Sequence, residues 1–299
     1  MIRFCLFLLL AIGPLFRLSA QIYTSHVYLF TLTKTEEAKV RLSEPKMLTA
    51  FNPIGYNNQP SWVSNEELYL TVRTLKDTSQ TDIYALNLTN GTKMRLTATK
   101  ESEYSPMLTP NPFYFSAVRV ESDADRTQRL WQFPVDRIEK GAPVFPTIRN
   151  IGYYLWINQR NVLLYIDSNP SLLFIAKTTD GSYKKITSDI GRCFQRISTD
   201  KVAFVKKDAP NKWTLCELDL KDPEFGFKTI TGTLDGSEDF AILPDGTFLM
   251  GNASKLYRYD RTKNDEGWVE IADLRTYNIK SITRLAVSPD GGKLALVGQ

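Results

Sequence analysis

His26 is the only imidazole in the 299-residue chain. Acyl-transfer triads are built on that side chain, because its proton comes and goes near neutral pH. With one histidine and no Gly-x-Ser-x-Gly turn to present a nucleophile, a triad lacks its parts. His26 reads instead as a residue at a strand edge. Zinc fails for the same reason, since beyond Cys5 in the N-terminal apolar run the chain has only Cys193 and Cys216, widely separated, and His26 to join them. Calcium takes oxygen ligands, and Glu121-Ser122-Asp123-Ala124-Asp125 alternates carboxylates. That stretch lacks the glycine and the closing glutamate of a calcium loop, and it reads as a solvated acidic turn. Asn87-Leu88-Thr89, Asn90-Gly91-Thr92 and Asn252-Ala253-Ser254 fit the glycosylation pattern, which matters only in a host that modifies it.

Any site must therefore come from how the elements are arranged, and the elements repeat. A polar loop, a strand, a Pro/Asp/Asn/Gly turn, a strand, a looser loop, a strand, a Gly-containing hairpin and a last strand recur every 40 to 50 residues or so, the spacing of propeller blades. The clearest copy runs from Gln59-Pro60-Ser61-Trp62-Val63 through Leu68–Thr74 and Asp82–Leu88, turns at Asn90-Gly91 and closes with Lys93–Thr97. Further copies start near Glu103, Tyr153, Cys193 and Glu238. Two half-units remain. Ile282–Val287 and Lys293–Val297 supply a first and second strand, while His26–Leu32 and Lys46–Ala50 supply a third and fourth. The reading is an all-β, six-bladed β-propeller whose sixth blade is closed by the N- and C-terminal strands. A β-sandwich of similar strand count would not repeat one grammar five times. Cys193 and Cys216 then fall on non-neighbouring strands of one blade, about 9.5 Å apart and beyond disulfide reach, so two free packed thiols are expected. Trp62 and Trp156 on innermost strands, and Trp131, Trp213 and Trp268 on outer ones, are assigned to packing between blades.

Three segments carry a family likeness. Gln59–Asn65, Ala241–Gly246 and above all Leu285-Ala286-Val287-Ser288-Pro289-Asp290-Gly291-Gly292-Lys293-Leu294-Ala295 resemble the TolB-type, WD-like propeller repeat, whose hallmark is a Ser-Pro-Asp-Gly turn before an apolar strand. Asp82–Asn87 and Arg95-Leu96-Thr97 resemble that family's third strand and blade end. The likeness spans the mature chain but is strong in two or three blades, and blades three and four have lost the Pro-Asp-Gly turn. It implies an exported, mostly non-enzymatic platform for binding proteins or envelope components.

The first twenty residues differ from the rest. Arg3, the apolar run Phe4–Phe16 and the small-residue site Leu18-Ser19-Ala20 have the build of a cleavable signal peptide, too short for a comfortable membrane span. Residues 1–20 are read as that signal and 21–299 as the propeller, secreted or periplasmic, without stable membrane insertion after cleavage, and monomeric. The net charge of +4 falls by two when Arg3 and Arg17 leave. The remaining bases are scattered, so no nucleic-acid partner is expected.

In a propeller the loop entering each innermost strand points to one mouth of the central channel. That slot holds Asn57 and Asn58, Glu101 and Glu103, Tyr153, Arg192, Glu238 and Asp239, and Thr283 and Arg284. Such a mixed polar mouth fits a ligand site, and it fits equally a set of salt bridges that close the funnel. The expected function is a binding platform for a protein, peptide or glycan, with no cofactor and no chemistry of its own. The alternative is a calcium-dependent propeller hydrolase of lactonase type, with Glu103, Glu238, Asn57 and Asn58 as its ligands.

Overall fold

The computed structural model describes residues 23–34, 40–138, 140–210, 212–262 and 266–299; the signal-peptide reading lies outside them. Among the described residues twenty-five strands form six antiparallel sheets, with one 3-10 turn, Leu274–Tyr277, as the exception to the all-β pattern. Five sheets are consecutive four-stranded meanders. Their innermost strands are Tyr56–Trp62, Ser102–Leu108, Ile151–Asn158, Ile190–Ser198 and Phe240–Ile242, which open blades 1 to 5.

Blade 6 joins the chain ends as expected. Ile282–Val287 is innermost, Lys293–Gly298 follows, and His26–Lys34 pairs with the latter from His26↔Gly298 to Thr31↔Lys293. Its outer edge differs from the sequence reading. Val40–Leu42 and the short Lys46–Met47 both pair with His26–Lys34, in place of one strand over Lys46–Ala50. Residues 48–50 leave the sheet in a turn because Thr49 caps it, its Oγ1 accepting the Val27 amide at 3.1 Å. The outer strand of blade 2 is likewise only Ala142–Pro143, while Phe145 and Ile148 leave the ladder and enter the core.

Strand side chains alternate between the two sheet faces, and in blades 1 to 6 both faces are buried against a neighbour. That is why Val162–Ile166 is apolar throughout: Leu163 packs into the seam with blade 4 and Leu164 into the seam with blade 2. The core is accordingly six clusters, one per seam. Cys216 faces the blade 3–4 seam and Cys193 the blade 4–5 seam, with a whole strand between theirs, and both thiols are free. Tryptophans tie seams together: Trp62 Nε1 donates to Ala286 O at 3.0 Å, and Trp156 Nε1 to Ser116 Oγ at 2.9 Å. The Ser-Pro-Asp-Gly turn needs its glycine. Gly291 has φ +74°, and a Cβ there would lie 2.6 Å from Pro244.

Candidate functional site: the central channel

All six innermost strands begin at one end of the ring, called here the upper mouth. The side chains that converge below it are Tyr153, Arg192, Asp239 and Arg284. Asp239 is clamped between two guanidinium groups. Arg192 donates to its Oδ2 through Nε and Nη2, at 2.9 and 2.7 Å, and Arg284 Nη1 lies 2.6 Å from both carboxylate oxygens. Arg284 also gives Nη2 to Tyr153 Oη at 3.0 Å, with its guanidinium carbon 5.3 Å from the ring centre. Burial works against a charged Arg284 and a charged Arg192; Asp239 and Tyr153 together, joined at Arg192 by Glu238, more than offset it, so each stays cationic. Glu238 is taken by Lys207 at 2.8 Å and Arg192 at 3.4 Å.

Tyr56 joins this group. Burial pushes its hydroxyl up to about 12, against the neighbouring arginines Arg284 and Arg192 and in the field of Tyr153 and Tyr104. The phenol therefore stays a neutral hydrogen-bonding group at any physiological pH. The channel set is thus tyrosines on blades 1 to 3, arginines on blades 4 and 6, and carboxylates on blade 5.

Above and below the clamp the channel opens into two chambers that share Gln59, Tyr153 and Arg192. The upper one, about 560 Å³, is polar, with Tyr104, Gln128, Asp167 and Lys207 among its walls. The lower one, about 540 Å³, has Trp62, Met107, Leu155, Phe194 and Val287 around it. Two bulges shape the wall between them. Gln59 and Ser105 sit at φ 52° and 53°, a left-handed backbone that costs a non-glycine residue about 1–3 kcal/mol and is held only by its surroundings. Here the hold is a cross-blade contact, since Gln59 Oε1 accepts from Thr71 Oγ1 and from the Ser105 amide, both at 2.8 Å.

Of the sequence-predicted mouth residues, Tyr153, Arg192, Glu238, Asp239 and Arg284 line the channel. Thr283 lines a side recess beside Arg284. Asn57, Asn58 and Glu103 do not line either chamber. Asn57 is fully buried and holds the N-terminal strand, its Nδ2 donating to Ser25 O at 2.8 Å and to Asn52 O at 3.0 Å. Asn58 turns its Oδ1 to the amide of Gln59. Glu103 is fully buried and pairs with Arg119 at 2.9 Å; Glu101 lies at the rim of the blade 1–2 seam. The four residues named for a calcium site therefore do not converge, and among the described residues no three His, Cys, Asp or Glu side chains are grouped to hold a metal ion. The acidic loop is spoken for as well: Asp123 Oδ1 accepts the Thr127 amide, and Glu121 takes Trp131 Nε1 and Arg129. The neighbours Tyr56 and Tyr104 were missed by one residue. Each precedes the bulge of its strand and so faces opposite to the residue beside it, and neither bulge carries a glycine that would mark it in the sequence.

No family model matches the chain, and no curated protein does. Solved structures do match. One from Agrobacterium tumefaciens assigned to TolB aligns over 92% of this chain and 97% of its own, with a TM-score of 0.64 and 10% identity. The fold is that of the TolB propeller. TolB from Acinetobacter baumannii aligns over 92% of this chain at a TM-score of 0.57 and 15% identity, and this chain spans 64% of that one. A structure assigned as a gluconolactonase aligns over 90% of this chain and 97% of its own, with a TM-score of 0.61 and 7% identity. TolB-type and gluconolactonase-type propellers thus share the ring described here, and identities this low bear on the fold alone.

Proposed function

We propose that the chain is an exported, non-enzymatic propeller that binds a protein or peptide at its central channel. The observation that carries this reading is the state of the channel carboxylates. Asp239 is neutralised by two arginines and Glu238 by Lys207 and Arg192, so neither is poised as a base or a metal ligand. What surrounds them is a pair of open chambers of ligand size, polar above and largely apolar below, which suits a segment with one charged or polar end and one apolar end. The resemblance to TolB-type repeats supports export and a binding role.

The test uses residues 21–299. Peptides selected from a random displayed library should bind with dissociation constants of about 1–100 μM, the range of modest peptide interfaces. Ser61→Trp, which fills the lower chamber, should weaken them at least about tenfold. A calcium-dependent turnover of lactone or ester substrates that is lost in Glu238→Gln would overturn the reading, as would selected peptides indifferent to Ser61→Trp.

A further inference from the structure

The seam between blades 1 and 2 has a second cavity, outside the channel. The outer strands of these two blades, Lys93–Arg95 and Ala142–Pro143, have three and two residues, against six each in blades 3 and 4. Between the short edges lies a groove of about 620 Å³ lined by Arg95, Arg119, Arg137 and Lys140 over Trp131 and Phe133.

Arg119 is its built part. Only 8% exposed, it lies with its guanidinium carbon 4.2 Å from the Trp131 ring centre and 4.9 Å from that of Phe133. The two rings are stacked, and Phe115 continues the stack behind them. Glu103 holds Arg119 from the side through Nε, and Thr99 fixes Glu103 in turn at 2.7 Å. A stacked guanidinium with its rotamer locked keeps its charge and its planar donors in one place, which is what recognition of phosphate or carboxylate requires. Arg95 is tied to Asp82 at 2.6 Å.

The other two cations are placed by backbone features at the groove's edge. Arg137 stands at φ 61°, held by its amide to Pro134 O. Gly141 lies so close to Phe133 that a Cβ would meet the ring at 2.4 Å, which brings Lys140 to the rim. Arg137 and Lys140 are both exposed, and among the described residues no carboxylate pairs with either. Among the described residues Glu101 is the one acid on the lining. Two partnered guanidinium groups thus form the walls, and two cations with no carboxylate partner among the described residues form the rim, over an aromatic floor.

We propose that this groove is a second ligand site, specific for a small organic anion bearing phosphate or carboxylate groups. It does not rest on the channel reading. Isothermal titration of residues 21–299 with inorganic pyrophosphate and, separately, with citrate tests it. At least one probe should bind at low salt with a dissociation constant of about 0.1–1 mM and weaken several-fold when ionic strength rises to about 0.15 M. Arg137→Gln with Lys140→Gln, both at exposed positions, should weaken that probe at least about tenfold while leaving the melting temperature unchanged; Ser61→Trp should not affect it. Preference for pyrophosphate assigns the site to phosphates, and preference for citrate to carboxylates. Failure of both probes at about 10 mM, or equal binding by the double variant, overturns the proposal.

Discussion

Replacing Asp239 by Asn keeps the shape of the channel clamp and removes its charge. Two guanidinium groups, with side-chain exposures of 13% for Arg284 and 33% for Arg192, then face each other across a neutral amide. Arginine does not deprotonate, so the repulsion cannot be relieved by proton loss. Removing one partner of a buried ion pair costs about 3–5 kcal/mol. The partial exposure of Arg192 and its second contact with Glu238 put this case at the low end, about 3 kcal/mol. For a domain of this size that lowers the melting temperature by roughly 6 °C. The measurement is a double-mutant cycle by urea unfolding, with Arg284→Met as the second arm. If the clamp is the cause, Arg284→Met costs much less in the Asp239→Asn background than it does alone, and the coupling exceeds about 1 kcal/mol. A loss below about 1 kcal/mol for Asp239→Asn, or additive single changes, would refute the argument.

Three further outcomes follow from other seams. Glu217 is buried, which by itself would raise its carboxyl; hydrogen bonds from Lys201 and Arg261 overcome this and bring it from 4.5 down to about 2. A depressed carboxyl contributes stability above its unfolded value and loses it as pH falls through the folded one. The shift corresponds to about 3 kcal/mol at pH 7, falling to about 1 kcal/mol near pH 3. The stability gap between the wild type and Glu217→Gln in urea should narrow by that difference over the same pH interval, and a constant gap would count against it. Gly251→Ala places a methyl 2.4 Å from Ile282 Cγ2 and should cost about 1–3 kcal/mol, less when combined with Ile282→Ala. Deleting residues 293–299 removes the strand between Ile282–Val287 and His26–Lys34, and near-UV circular dichroism should then show no cooperative unfolding transition.

The ring was legible in the sequence because its grammar is local. Pro289-Asp290-Gly291 and Asn90-Gly91 mark turns whose glycines do take positive φ, at 74° and 72°, and Asp82–Asn87 forms a strand where the repeat puts its third. The channel was half legible. Arg192, Asp239 and Arg284 stand near strand starts and were found; Tyr56 and Tyr104 were not, because the bulges at Gln59 and Ser105 carry no glycine to announce them. Glu103 was assigned to the mouth as a polar residue at the right distance from a turn, but a one-residue step along a strand sends it into the seam with Arg119. The groove between blades 1 and 2 was invisible, since Arg95, Arg119 and the pair Arg137 and Lys140 come from three separate stretches that only the packed seam brings together.

The sixth blade also sets a timetable. Its second strand, Lys293–Gly298, is flanked by a neighbour close in sequence and by another, His26–Lys34, from the opposite end of the chain. Contacts of such long sequence separation are slow to form, because the whole intervening loop must be closed before they repay its entropy. At about 5–20 residues per second of synthesis, His26–Lys34 waits on the order of ten to fifty seconds for the strand it will pair with. During that interval the first five blades can assemble one after another, but the faces of blade 1 and blade 5 that meet blade 6 stay open to water, with Leu68, Leu70, Leu249 and Leu256 among the side chains left uncovered. Whatever handles the nascent chain must shield those two apolar surfaces until residue 298 arrives, and a ribosome stalled short of that point would release an aggregation-prone horseshoe.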